Sequence, residues 1–180
     1  MKKAFKKYFQ KLKRLYEEQF STLPTVAYSD ELNKSLIISE QDEDGEVQWK
    51  PLEQTTPIEW ELIEEKLGFS MCEELKAYYS AYFFLMMSGK LGNCVLNFYP
   101  IGATEPVQKA IDQNYHDAQY FFPDTQIFIL GNAKVADDDN FFICYDNVKN
   151  KLFCYETDTQ SQIPLPGSIS QTIDEMEACL

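Results

Sequence analysis

Apolar residues return at every third or fourth position near the start of the chain. Phe5, Tyr8, Phe9, Leu12, Leu15, Tyr16 and Phe20 share one side, and Lys and Arg fill the other. That period predicts an amphipathic helix over residues 2–20, ended by Leu23-Pro24. A basic amphipathic helix can lie on a membrane surface or on a partner. An aromatic stripe of this kind is also what a core uses, so the helix is expected to pack on its own domain and leave its lysines in water.

Further on, the stretch TPIEWELIEEKLGFSMCEELKAYYSAYFF (56–84) reads as two helices in series that run into an aromatic strand. Thr56, Pro57 and Glu59 make a helix start, with Ile58, Leu62, Ile63 and Leu67 at helical spacing and Gly68 as the left-handed stop. Ser70 and Glu73 repeat the capping pattern. Met71, Leu75, Tyr78, Tyr79 and Tyr82 then form the apolar face.

Between these helical regions, SLIIS (35–39) and Val47–Trp49 flank QDEDGE, where Asp44-Gly45 predicts a hairpin turn. Phe83–Met87 and Cys94–Tyr99 read as strands about Gly89 and Gly92. Thr104, Glu105 and Pro106 start a helix through about Gln119, with Val107, Ala110, Ile111 and Ala118 inward. Glu105, Asp112 and Asp117 then point outward. Strand-like runs follow at Gln126–Leu130, Asn140–Asp146 and Lys151–Thr157. Asp137-Asp138-Asp139 divides the first two, and Asn147–Asn150 turns the last two.

A symmetric turn there pairs Asp146 with Lys151, Tyr145 with Leu152, Cys144 with Phe153 and Ile143 with Cys154. Cys144 and Cys154 consequently fall on opposite faces. The tail ends as a helix from about Ile169, with Ile173 and Met176 inward, after an approach kept extended by Pro164 and Pro166. Hairpins dominate, and no strand–helix–strand unit carries a glycine-rich phosphate loop. The expected fold class is α+β, a single antiparallel or mixed sheet with helices packed on it, in one domain over residues 1–180.

Charge changes the picture. The total is −13 over 180 residues, yet residues 1–20 hold seven Lys/Arg against Glu17 and Glu18, a net of +5, which leaves −18 on the rest. Such an acidic body repels nucleic acid and anionic lipid and favours encounter with basic protein surfaces. No apolar run reaches spanning length, and charges interrupt the opening segment where a signal peptide would be unbroken, so a cytoplasmic location without membrane insertion is expected. The five cysteines at 72, 94, 144, 154 and 179 form no C-x-x-C, and reduced thiols are the expectation.

Candidate chemistry is sparse. His116 is the sole histidine, which excludes a His-pair metal site and two-histidine acid–base schemes. No Ser or Cys motif accompanies it. The Asp137–Asp139 run lacks the alternating spacing and distal Glu of a calcium loop and reads as a solvated tip. No enzyme activity, cofactor or metal is expected. The residues expected to bind a basic partner are Asp137, Asp138, Asp139, Glu105, Asp112 and Asp117, with Tyr115 and Tyr120 as aromatic anchors.

The element order and several local matches resemble the Syd (SecY-interacting protein) family within the SUKH superfamily. The resemblance runs through the leading helix, SLIISEQDEDGEVQWKP with Val47-x-Trp49-x-Pro51, the helix pair leading to YYSAYF, NCVLNFYP, PVQKAIDQNYHDA, QIFILG and FFICYDNVKNKLFCYE. Asn114 and His116 retain part of the family's helix pattern, whereas the turn Lys149-Asn150-Lys151 lacks its glycine. The resemblance implies a non-catalytic, acidic protein-binding module with one of two partners. The first is a bacterial toxin domain, the protein then being a cytoplasmic immunity protein or antitoxin; a divergent member fits this better, since each must match its own toxin. The alternative is Syd-type binding of basic cytoplasmic loops of the SecY translocon, with peripheral association at the cytoplasmic face of the inner membrane through SecY.

Overall fold

The computed structural model describes residues 1–136 and 138–180; Asp137 lies outside the described residues. Helix α1 (Lys2–Phe20) leads into β1 (Thr25–Ala27), β2 (Glu46–Gln48) and β3 (Leu52–Glu53). Helices α2 (Trp60–Leu67) and α3 (Glu73–Tyr79) precede β4 (Tyr82–Phe83), β5 (Met87–Leu91) and β6 (Cys94–Phe98). After α4 (Val107–Phe121) come β7 (Ile127–Val135), β8 (Asp138–Asp146), β9 (Lys151–Glu156), β10 (Gln162–Pro164), α5 (Ile169–Glu175) and β11 (Glu177–Ala178). The main sheet is seven-stranded in the order β10-β9-β8-β7-β6-β5-β11, and every pairing in it is antiparallel. The fold is α+β.

The apolar stripe of α1 is buried as its period requires. Phe5 is fully buried among Tyr78, Tyr82 and Phe84, with ring centroids 5.8 Å away in each case. The Tyr8 hydroxyl donates to the Ser88 carbonyl at 2.7 Å and accepts from the Ser88 amide at 2.9 Å, which pins the helix to β5. Its lysines are partly used as well. Lys11 donates to the carbonyls of Asp174 and Met176 at the end of α5 and to Glu177, meeting acceptors that a helix C-terminus leaves open. Phe20 departs from the expectation: it is exposed, because the helix stops there and Ser21 turns into the left-handed region at φ 56°.

Several boundaries differ from the sequence reading. Strand β2 pairs with β1 as a ladder, and SLIIS lies against it more loosely, through the antiparallel bridge Ile37–Trp49, the Ile38-to-Gln48 and Lys50-to-Leu36 main-chain bonds and the Ser39 hydroxyl, which accepts from the Gln48 amide. Helix α2 begins at Trp60, not after Thr56, because Leu52–Glu53 and the residues behind them are drawn to β4. Leu62 faces solvent; in this two-turn helix Ile63 takes the buried position. Ser70 does not cap α3. Side chains from elsewhere take the amides ahead of that helix: Glu64 accepts from Met71 at 2.7 Å and Asn147 from Cys72 at 2.7 Å. The strand expected at Phe83–Met87 is displaced to Met87–Leu91, with Gly89 inside it.

The β8–β9 register is the expected one at all four pairs, Asp146–Lys151 through Ile143–Cys154. Cys154 therefore joins the large core beneath α1, α3 and α5, while Cys144 joins a smaller core with Ala118 and Phe122 at the end of α4. Among the described residues, no helix is long and apolar enough to cross a membrane.

Candidate functional site

Helix α4 carries the candidate residues Asp112, Tyr115, Asp117 and Tyr120. Its inward positions Val107, Ile111, Asn114 and Ala118 follow the helical period, and the Asn114 amide donates to the Tyr79 hydroxyl at 2.9 Å, fixing the helix against α3. Burial raises the Tyr79 pKa, keeping the phenol neutral in that bond. The rest of α4 borders a cleft of about 940 Å³ closed on its other sides by α2, β1 and the 99–105 segment. Val26, Leu32, Leu67, Leu85 and Ala103 give it an apolar lining.

Glu105, Asp112, Tyr115 and Asp117 all border this cleft. Each already has a neighbour. Asp112, expected to face solvent, is only half-buried and pairs with Lys66 of α2 across the cleft. Glu105 is bound by Lys109 at 2.7 Å, and Asp117 accepts from Gln113 at 2.6 Å. The exposed Glu105–Lys109 pair contributes little to stability. Tyr115 is not an exposed anchor, since its ring packs at 5.2 Å from Phe69 and 5.4 Å from Phe128. Tyr120 is 86% exposed at the end of α4. His116 is exposed at the rim.

Asp138 and Asp139 do not border the cleft; they begin β8. The Asp138 carboxylate accepts from the Asn140 amide at 3.0 Å, and Asp139 lies 3.7 Å from Lys134. A link to the cleft exists along the sheet. Tyr99, at the cleft wall, donates its hydroxyl to Asn132 at 3.0 Å, and Asn132 and Lys134 share a face of β7. Burial and the Asp117 charge together raise the Tyr99 pKa, burial being the larger cause.

Sequence reasoning found Glu105 but missed Tyr99 and the rest of the Gly102–Glu105 ridge. Gly102 sits at φ +65°, and a Cβ there would stand 2.1 Å from the Phe83 ring. Asn33 ties the ridge down, its side-chain amide donating to the Gly102 carbonyl at 2.9 Å. Two residues distant from the ridge in sequence thus shape it.

The family model for the Syd protein (SUKH-2) matches residues 2–98, more than half of the chain. This chain belongs to the Syd family. Among curated proteins, it is 28% identical over 168 residues to Protein Syd of Shewanella halifaxensis (strain HAW-EB4), covering 92% of this chain and 72% of the relative. Protein Syd of Shewanella pealeana (strain ATCC 700345 / ANG-SQ1) is 22% identical over the same coverage. The Syd family match spans α1 to β6, so the α2, β1 and Leu85 walls of the cleft fall inside it and the α4 wall beyond it.

Proposed function

We propose that residues 1–180 act as one non-catalytic docking module for basic cytoplasmic loops of the SecY translocon, held peripherally at the cytoplasmic face of the inner membrane by that contact. Membership of the Syd family, a family of SecY-interacting proteins, carries this reading. It favours the translocon over a toxin partner, which gains no support from the relatives. The acidic body supports it too: with −18 outside the first 20 residues, complementary charge speeds encounter with cationic loops.

The cleft beside α4 is the surface we assign to the loops, with Asp117, Asp112 and Glu105 at its border and Tyr120 exposed beyond. Binding to SecYEG in nanodiscs tests the reading. Micromolar or tighter association that weakens about tenfold or more between roughly 50 and 300 mM salt is expected, because screening shortens the reach of exposed charges. No association at low salt, or one indifferent to salt, overturns it.

A further inference from the structure

We propose that the partner loop in the cleft runs as an extended strand along the open edge of β1, held there by the main-chain amide and carbonyl of Ala27. The inference rests on the docking reading above and deepens it, since it gives the conformation of the occupant and the groups that grip it.

Strand β1 has a partner on one side only, in the two-stranded sheet it forms with β2. The register runs Thr25–Gln48, Val26–Val47 and Ala27–Glu46. It continues at both ends: the Tyr28 amide donates to the Gly45 carbonyl at 2.9 Å, and the Pro24 carbonyl accepts from the Trp49 amide at 2.9 Å. In an antiparallel ladder, bonded pairs alternate with unbonded ones. Pro24 and Tyr28 are bonded to the β2 side, so Val26 is too, and Thr25 and Ala27 turn their main-chain groups away from it. The Tyr16 hydroxyl of α1 stands beside Thr25. Ala27 is exposed, and its amide and carbonyl meet no partner among the described residues.

That edge opens into the cleft. Val26 and Ala27 both border it, although neighbours in a strand send their side chains to opposite faces. A space that touches both meets the strand from its side, and the other side is filled by β2, none of whose residues border the cleft. An open strand edge beside a groove accepts a peptide by strand addition: main-chain bonds hold it, and its alternate side chains are selected by the walls.

The lining indicates which side chains those are. Leu32, Leu67, Leu85 and Ala103 offer apolar surface. Lys66 and Lys109 are matched by Asp112 and Glu105, which leaves Asp117 with the neutral Gln113 amide as its bonded neighbour. An extended segment that alternates apolar residues with lysine or arginine suits such a lining, its cation meeting Asp117.

Hydrogen exchange on the full chain, alone and bound to SecYEG in nanodiscs, tests the contact at single-residue resolution. The Ala27 amide should exchange quickly in the free protein and about tenfold or more slowly in the complex. Ala27→Pro deletes that donor alone, because proline is tolerated on the open edge of a strand and its restriction of Val26 to extended backbone suits β1. It should weaken binding to SecYEG about tenfold, while Ala27→Val, which keeps the amide, should bind as wild type does. Unchanged exchange at Ala27 in a formed complex, or Ala27→Pro binding as tightly as wild type, overturns strand addition and leaves the docking reading standing. Wild type that fails to bind SecYEG at low salt overturns the docking reading itself.

Discussion

Lys66 of α2 and Asp112 of α4 form an ion pair across the mouth of the cleft, so this carboxylate of α4 already holds a cation. Lys66 is the more exposed member, at 67% against 28%. Replacing Lys66 by Met should free the carboxylate and strengthen binding to SecYEG several-fold at low salt. Thermal stability should change little, since such pairs contribute about 0–1 kcal/mol. Weaker binding in Lys66→Met, measured by biolayer interferometry, would show that the pair shapes the surface and does not compete for it.

Charge reversal distinguishes the cleft from the body at large. Asp117→Lys should slow association with the partner by about tenfold, more than Glu43→Lys with Asp44→Lys at the β2 hairpin. Asp42 is left out, since its carboxylate accepts from the amides of Asp44 and Glu46 and its loss would disturb the turn. Reversal of Asp138 and Asp139 reports on how far the interface extends along β7 and β8. Equal slowing by all three sets would mean that net charge alone drives encounter.

The cysteines should be reduced and unequally reactive. Burial pushes the Cys154 thiol up to about 12 and raises Cys144 as well, while Cys72 and Cys179 are half-buried. At pH 8 an alkylating reagent should modify Cys72 and Cys179 first and reach Cys94, Cys144 and Cys154 only at the rate of unfolding. Denatured protein without reductant should titrate five thiols. A count of three would reveal a disulfide bridge.

Acid lability should have a local source in Glu64. It accepts from Lys76 at 2.8 Å and from the Met71 amide, and these bonds hold its carboxyl below the usual value, Lys76 chiefly. The unfolded chain therefore binds the proton more readily. The stability it gives is present above the ordinary Glu value of about 4.3 and is lost as pH falls through the depressed one. Glu64→Gln should flatten the stability-versus-pH curve in that window, as followed by urea unfolding. An unchanged slope would assign the acid sensitivity elsewhere.

Gly89 lies where the C-terminal segment crosses the sheet. A Cβ there would stand 2.2 Å from the Met176 side chain and 2.8 Å from the Glu177 carbonyl. Gly89→Ala should cost about 1–3 kcal/mol and loosen β11 from β5. Hydrogen exchange should show it as faster exchange of the Cys179 amide, which donates to Ser88 at 3.1 Å. Unchanged protection would mean that the tail shifts to accommodate a methyl group.

What the sequence determined by itself was set by contacts close in the chain. The α1 limits, the Gly68 stop and the β8–β9 pairing follow from helical period, a left-handed residue and a short turn, each confined to a few neighbours. Glu105, Asp112, Tyr115 and Asp117 could be grouped because they lie on or beside one helix. Only tertiary structure decided the rest. The amides ahead of α3 are taken by Glu64 and Asn147, the ladder partner of β2 is β1, and two-residue β11 exists because α5 delivers it to the β5 edge. The cleft and its Lys66 pairing likewise depend on segments separated by dozens of residues. Such features depend on which surfaces are left after the long-range contacts form, and no local period encodes that choice.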